Sequence, residues 1–317
     1  MFGMSGKGVQ EKKAVQKVLE DLIKNVVSNR DGVTAEYRPT LEHLRRFVEI
    51  TGDENPIHKP FLDGALEGMA VSPGLLQSCI ATLLIREAMR RRGLNPTDYS
   101  LSDNKEEMIL PIVTGLEYRF KTSGTLESNF KTEIINESGN VVYKNTKSFF
   151  PPNDAIQSFF PQKDGMKEVY EAKIDLREGN SAPLKFGNLI GSRSRESNLF
   201  LLALSSSGVY KAIRLGKLNP LPEEVVALYR DVQIILDAGK SRDIDGAELK
   251  VYVPESRIDE NITEKSEPVK MIVEAYGKEG SPVYSLRSNL AFCQKRLLEI
   301  SMEREVRRAE RAARAKS

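Results

Sequence analysis

Residues 73–93, PGLLQSCIATLLIREAMRRRG, carry the strongest constraint in this chain of 317 residues. Pro73 suits the first turn of a helix, where a missing N–H costs nothing. The front half of the helix that follows is apolar on nearly all sides, not along a single stripe. Such a helix is stable only when other elements wrap it. The pattern returns later. LLQSCIATLLIREAMRRRGLNP (75–96) lies without gaps on LFLLALSSSGVYKAIRLGKLNP (199–220), and both run from an apolar start through a basic finish to Leu-Asn-Pro. The chain therefore has two such helices to cover.

The covering elements are legible as a change of period. TGLEYRFKT, NFKTEIINE and NVVYKNTKSFF, within residues 108–150, alternate as strands do, and Glu137-Ser138-Gly139-Asn140 reads as a hairpin turn. NVVYKNTKSFF is echoed by SPVYSLRSNLAF (281–292), and FFPPND (149–154) reads as the linker between the copies. The fold class expected is α+β: two units in tandem, each a curved antiparallel sheet around its own helix. One unit spans 36–152 and the other 165–294. Val15, Val18, Leu19, Leu22, Ile23 and Val26 fall on a helical stripe, so residues 1–35 read as a helical extension. TLEHLRRFVEI reads as a further helix, with Thr40 as its N-cap. Residues 295–317 hold eight Lys/Arg against four Glu and read as a basic helix or tail, solvated and laced by charge pairs.

Composition narrows the function classes. A net charge of +2 gives no general bias towards nucleic acid or membrane surfaces. No apolar run approaches the roughly 20 residues of a membrane span, and the N-terminus has no apolar signal core. Cys79 and Cys293 are far apart and sit in apolar runs. They read as free thiols of a cytoplasmic protein.

Chemistry concentrates in TGDENPIH (51–58), which holds one of only two histidines. Gly52-Asp53 and Asn55-Pro56 are turn signals, so Asp53 and His58 share an irregular loop that can aim both at one spot. A carboxylate and an imidazole around one water form an acid/base pair. An EF-hand loop is excluded, because His58 stands where Gly is required and Gly64 where Glu is required. Two His and two distant Cys are too few for a zinc site. Cys79 or Ser72 as a nucleophile lacks a supporting elbow motif. An Asx-turn at Asp53 with a packed His58 remains level with the acid/base pair on spacing alone.

FVEITGDENPIHKPFLDGA closely resembles the motif of the MaoC-like, or type 2 R-specific, enoyl-CoA hydratases. Phe47, Ile50, Thr51, Gly52, Asp53, Asn55, Pro56, Ile57 and His58 all fit it, and Gly64 stands where Ala or Ser is usual. There are two departures. The family's His-Gly-Met-Leu helix start is Pro73-Gly74-Leu75-Leu76 here, and KTSGTLES (121–128) replaces its Pro-x-x-x-Gly-Asp. The resemblance implies two tandem hotdog domains forming an intramolecular pseudo-dimer. At the helix register Arg177 falls opposite Asp53 and Ala182 opposite His58, so the second unit lacks the dyad and serves as a mate. The implied activity is (R)-specific enoyl-CoA hydratase, or 3-hydroxyacyl thioester dehydratase, in fatty acid metabolism. Asp53 and His58 would be catalytic, the Gly74 N–H would form the oxyanion hole and Asn55 would brace the loop. Arg193 and Arg195 would meet a phosphate of the carrier. His43 reads as structural. The implied partner is an acyl-CoA or acyl-carrier-protein thioester, with no cofactor, metal, nucleic acid or membrane span, and with room for a homodimer of such chains. An acyl-CoA thioesterase and a non-catalytic acyl-thioester-binding protein are the alternatives on the same fold.

Overall fold

Two helices of equal length, each inside its own curl of sheet, organise the computed structural model. It describes residues 23–29, 32–53, 55–62, 64–151, 154–174, 182–190, 197–214, 224–241, 244–258, 260 and 262–316. The first half runs β1 (Ile23–Asn29), β2 (Gly32–Tyr37), α1 (Leu41–Thr51), α2 (Gly74–Arg91), β3 (Ser100–Met108), β4 (Tyr118–Thr125), β5 (Asn129–Asn136) and β6 (Val141–Phe150). The second runs β7 (Met166–Lys173), α3 (Ala182–Leu189), α4 (Ser197–Arg214), β8 (Val225–Leu236), β9 (Glu248–Pro254), β10 (Val269–Tyr276) and β11 (Pro282–Gln294). A final helix, α5 (Lys295–Lys316), follows.

All the strands belong to one antiparallel sheet in the order β1-β2-β4-β5-β6-β3-β8-β11-β10-β9-β7. The halves meet where β3 pairs β8, with Leu101 opposite Leu236 and Ser102 opposite Ile235. The sheet curls around α2 and α4, which pack against each other inside it. Each of these helices has 18 residues. Leu75, Leu76, Ile80, Ala81 and Ile85 are buried along α2, as are Leu199, Leu201, Leu202, Ala203 and Ala212 along α4. Even the polar Gln77, Ser78, Thr82, Ser205 and Ser206 are buried. This is the wrapped helix that the apolar circumference of 73–93 requires. Among the described residues, no helix is long and apolar enough to cross a membrane.

Local chemistry explains the connections. Thr40 caps α1, accepting from the His43 N–H, and its hydroxyl also bonds His43 Nδ1 at 2.7 Å, so this buried histidine is tied to a cap. In the 137–140 turn, Asn136 Oδ1 accepts from the N–H groups of Ser138 and Asn140. Two sequence expectations need correction. Residues 23–29 and 32–35, read as part of a helical extension over 1–35, form the edge strand β1 and the start of β2, where Ile23, Val26, Val27 and Val33 suit an extended backbone better than a helix; residues 1–22, 30 and 31 lie outside the described residues. The gapless register also breaks down before the core helices. Residues 52–73 separate α1 from α2, whereas only 190–196 separate α3 from α4. Ala182 therefore opens α3 and does not answer to His58, while Arg177 lies outside the described residues.

The joint between halves generates a prediction. A fragment of residues 1–160 would expose the β3 edge and the face of α2 that packs on α4. Exposed strand edges and apolar faces associate. The fragment should be aggregated or unfolded, as read by size-exclusion chromatography and circular dichroism. A monomeric, cooperatively melting fragment would show that the halves fold independently.

Candidate active site

The loop after α1 is built by three successive small devices. Gly52 ends the helix in the left-handed region, φ 68°, and its N–H closes on Val48 O at 2.7 Å. Its carbonyl accepts from Ser207 Oγ of α4 at 3.0 Å. A Cβ on Gly52 would stand 3.4 Å from Lys211 Nζ and 3.6 Å from Ser207 Oγ, in a backbone region that side chains rarely adopt. Asp53 then makes an Asx-turn, its Oδ1 accepting from the Asn55 N–H at 3.2 Å. Asn55 caps the short 3-10 turn Pro56–His58, its Oδ1 accepting from the Ile57 N–H at 3.3 Å. The turn ends on His58.

These devices bring the two candidate groups together. Asp53 Oδ2 lies 3.6 Å from His58 Nε2. Asp53 has no exposed surface and His58 is 7% exposed. His58 Nδ1 lies 2.8 Å from Val71 O. A carbonyl only accepts, so Nδ1 carries a proton, and this bond turns Nε2 towards the carboxylate. Val71 itself is fixed, since its N–H donates to Ile57 O at 3.2 Å. Asp53 Oδ2 also accepts a 2.5 Å hydrogen bond from Ser206 Oγ of α4. Ser206 had no signal of its own in the sequence beyond a run of three serines, 205–207, in an otherwise apolar helix.

His58 lines a cavity of about 290 Å³, with Asp53 buried behind it. Its wall includes Gly74 at the start of α2 and Gln77 one turn on, with Ile109 and Pro111 from the first half and Ser206 and Tyr229 from the second. The Gly74 N–H is one of the first-turn amides for which a helix provides no acceptor. The volume a side chain at 74 would need is taken by the flexible end of Met108. Behind Gly74, Gln77 Nε2 donates to Ser72 Oγ at 2.7 Å and to Tyr37 OH at 3.3 Å. Burial pushes the Tyr37 hydroxyl up to about 12, against the smaller opposing pull of Ser72 and Gln77. Ser72 is thus engaged in a buried network, and Cys79 points away to Leu199 O at 3.4 Å. Arg193 and Arg195 lie outside the described residues.

The C-terminal helix also departs from its sequence reading. Leu298, Met302, Glu305, Val306 and Ala309 are buried along one face of α5. Leu298, Met302 and Val306 pack with Ile57, Leu66, Val71, Val113 and Val226 in a second apolar cluster under the dyad loop. Leu297, Leu298 and Ser301 line the cavity. Apart from the buried Glu305, which accepts from Asn136 Nδ2 at 2.6 Å, the charged residues that suggested a solvated helix occupy the other face, with Arg307 3.6 Å from Glu303 and Arg296 3.1 Å from Glu299.

No family model matches the chain, and no curated protein matches it. Solved structures do match. A conserved hypothetical protein from Mycobacterium tuberculosis, described as essential for bacterial survival during infection and as having a double hotdog fold, superposes with a TM-score of 0.54. The identity is 9%, over 83% of this chain and 97% of that one. A MaoC-like dehydratase gives 0.54 at 12% identity, over 86% and 99%. The dehydratase domain of the polyketide PpsC from Mycobacterium tuberculosis gives 0.50 at 11%, over 86% and 98%. At these identities the likeness is one of fold, and it places the chain among double hotdog proteins. The fold that the TGDENPIH resemblance implied is the fold found.

Because α5 supports the dyad loop, Leu298→Ala should cost about 2–5 kcal/mol of stability. Truncation after Gln294 should lower both the melting temperature and turnover. Unchanged melting and unchanged turnover in the truncated protein would restore the solvated-helix reading.

Proposed function

We propose that the protein hydrates trans-2-enoyl thioesters to (R)-3-hydroxyacyl thioesters and catalyses the reverse dehydration. The observation that carries this reading is the approach of the buried Asp53 carboxylate to His58 Nε2 at 3.6 Å, with His58 on the wall of a cavity that Gly74 also lines. The fold likeness to a MaoC-like dehydratase supports it, and the sequence motif at 51–58 adds the residue-level resemblance.

The chemistry follows from the geometry. Water held between the two groups donates one hydrogen to Asp53 Oδ2 and the other to His58 Nε2. Nε2 takes its proton as the water oxygen bonds to C3. The C2=C3 electron pair moves towards the thioester, and negative charge grows on the thioester oxygen. The Gly74 N–H, at the positive end of α2, is suited to accept that charge. The enolate then collapses, and C2 takes the proton from Nε2–H on the face from which the oxygen arrived. Water is added, the carbonyl is restored and the imidazole is neutral again. One water on one pair of groups gives syn addition. Asn55 braces the loop through its cap to Ile57. A phosphate of coenzyme A or of a carrier's phosphopantetheine is assigned to Arg193 and Arg195, which precede α4 in the sequence. The second half serves as the mate that completes the cavity.

Incubation with trans-2-butenoyl-CoA should consume the conjugated thioester absorbance and yield the (R)-3-hydroxy product. Asp53→Asn preserves shape and an acceptor. His58→Asn preserves the Nδ1-like donor to Val71 O and deletes Nε2. Each should lower kcat by about 10²–10⁴-fold with the protein folded. The losses should be non-additive in the double variant, because a water released by one change cannot be released again. If either folded single variant turns over like the wild type, the dyad assignment fails.

A further inference from the structure

Tyr229 stands in this site without a structural occupation. Its hydroxyl is buried and has no hydrogen-bond partner among the described residues. Buried hydroxyls are nearly always bonded, and leaving one unbonded is costly. Ser206 Oγ lies near it without making a hydrogen bond to it, and donates its own proton to Asp53. Burial first, and the Asp53 charge second, push the Tyr229 hydroxyl far above the ordinary tyrosine range, and Ser206 offsets only part of that rise. The group is therefore a fully protonated donor at any working pH, lying in the field of the catalytic carboxylate and on the cavity wall.

The backbone is bent to put it there. Asp231 adopts φ 52°, a value that few residues other than Gly tolerate, Asp among them. At that point the pairing of β8 with β11 slips, from Gln233 opposite Arg287 to Arg230 opposite Asn289. Along β11 the alternation continues, so Leu286 and Leu290 share a face. Ile234 pairs Leu286 and Tyr229 pairs Leu290. Tyr229 thus shares the inward face of Ile234, although an unbroken strand would turn residue 230, an arginine, to that face. Bulges of this kind re-aim side chains beside active sites.

We propose that Tyr229 is a third catalytic residue, supplied by the second half, whose hydroxyl donates a hydrogen bond to the oxygen held between Asp53 and His58. This role rests on the hydratase reading above. In dehydration that oxygen is the departing 3-hydroxyl, which gains negative charge as the C3–O bond breaks. Tyr229 stabilises that charge and keeps its own proton, while the proton that completes the water comes from His58. In hydration the same bond orients the attacking water. The missing partner of the Tyr229 hydroxyl is thus the reacting oxygen itself.

Tyr229→Phe removes this one oxygen and keeps the ring. In the full-length protein, with trans-2-butenoyl-CoA and with (R)-3-hydroxybutanoyl-CoA, kcat should fall 10- to 100-fold in both directions while KM stays within about twofold. The melting temperature should hold or rise, since the hydroxyl deleted has no partner to lose. Wild-type kcat in the variant overturns the proposal, as does a drop in melting temperature with activity falling in step with the folded fraction. Absence of turnover in the wild-type protein overturns the hydratase reading itself and this role with it. A Tyr229→Phe defect confined to a protein that does turn over tests the role alone.

Discussion

A carboxylate with no exposed surface sits on a loop of one half and is held by a serine of the other. Burying a charge is costly unless donors replace its water. Among the described residues Asp53 has two such donors, the Asn55 N–H from its own turn and Ser206 Oγ from α4. The first comes with the loop. The second exists only when α4 lies beside α2 inside the shared sheet. The same contact line continues through Ser207 Oγ to Gly52 O, so the turn that aims Asp53 is also pinned from across the joint. The site is therefore a product of assembly between halves, and the bulge that turns Tyr229 inward belongs to the same joint.

The core beneath the site follows the same rule of pairing. Lys147 and Glu106 are both fully buried, 2.7 Å apart, and Ser78 of α2 donates to the same carboxylate. Asn145 Nδ2 bonds Tyr143 OH at 2.6 Å, and Tyr143 lines the cavity. Such a buried pair adds little net stability over apolar residues of the same shape, but loss of one partner is severe. It ties α2, whose first residue Gly74 lines the cavity, to β3 and β6.

Much of the architecture was legible because two signals were strong. The apolar circumference of 73–93 demanded a wrapped helix, and its echo at 199–220 demanded two. The strands at 118–150 alternate cleanly. Strand β3 was not legible, because SLSDNKEEM turns Glu106 and Ser102 into the protein, where a polar network replaces the apolar face that a period-two reading needs. Strand β1 was lost to a helical stripe that its β-branched residues also satisfy. Asp53 and His58 could be singled out because turn residues at fixed spacing force one loop to carry both. Ser206 and Tyr229 could not, since their neighbourhood is set by contacts more than 150 residues away in sequence for the Asp53–Ser206 bond. A serine run in a helix and a tyrosine before an Arg-Asp bulge gain meaning only once the halves are packed. The charge of α5 masked its buried face, because residues 298, 302 and 306 form a narrow stripe within a strongly basic segment.

The repeat also explains why one site exists and not two. In the register that overlays the core helices, Ser206 answers to Thr82 of α2. Thr82 is equally buried, but its hydroxyl turns back to Ser78 O at 2.8 Å. Side chains of this type bond their own helix when no outside acceptor is offered. The outside acceptor would have to come from a loop after α3, as Asp53 comes from the loop after α1. The connection there, residues 190–196, is far shorter than 52–73 and contains no histidine. The first half therefore keeps the long loop and its dyad. The second half, relieved of that loop, turns the polar edge of its core helix and the bulge of its first central strand towards the loop of the other. The asymmetry is a division of parts: Asp53 and His58 come from one copy, and Ser206, the second donor to the carboxylate, comes from its mate.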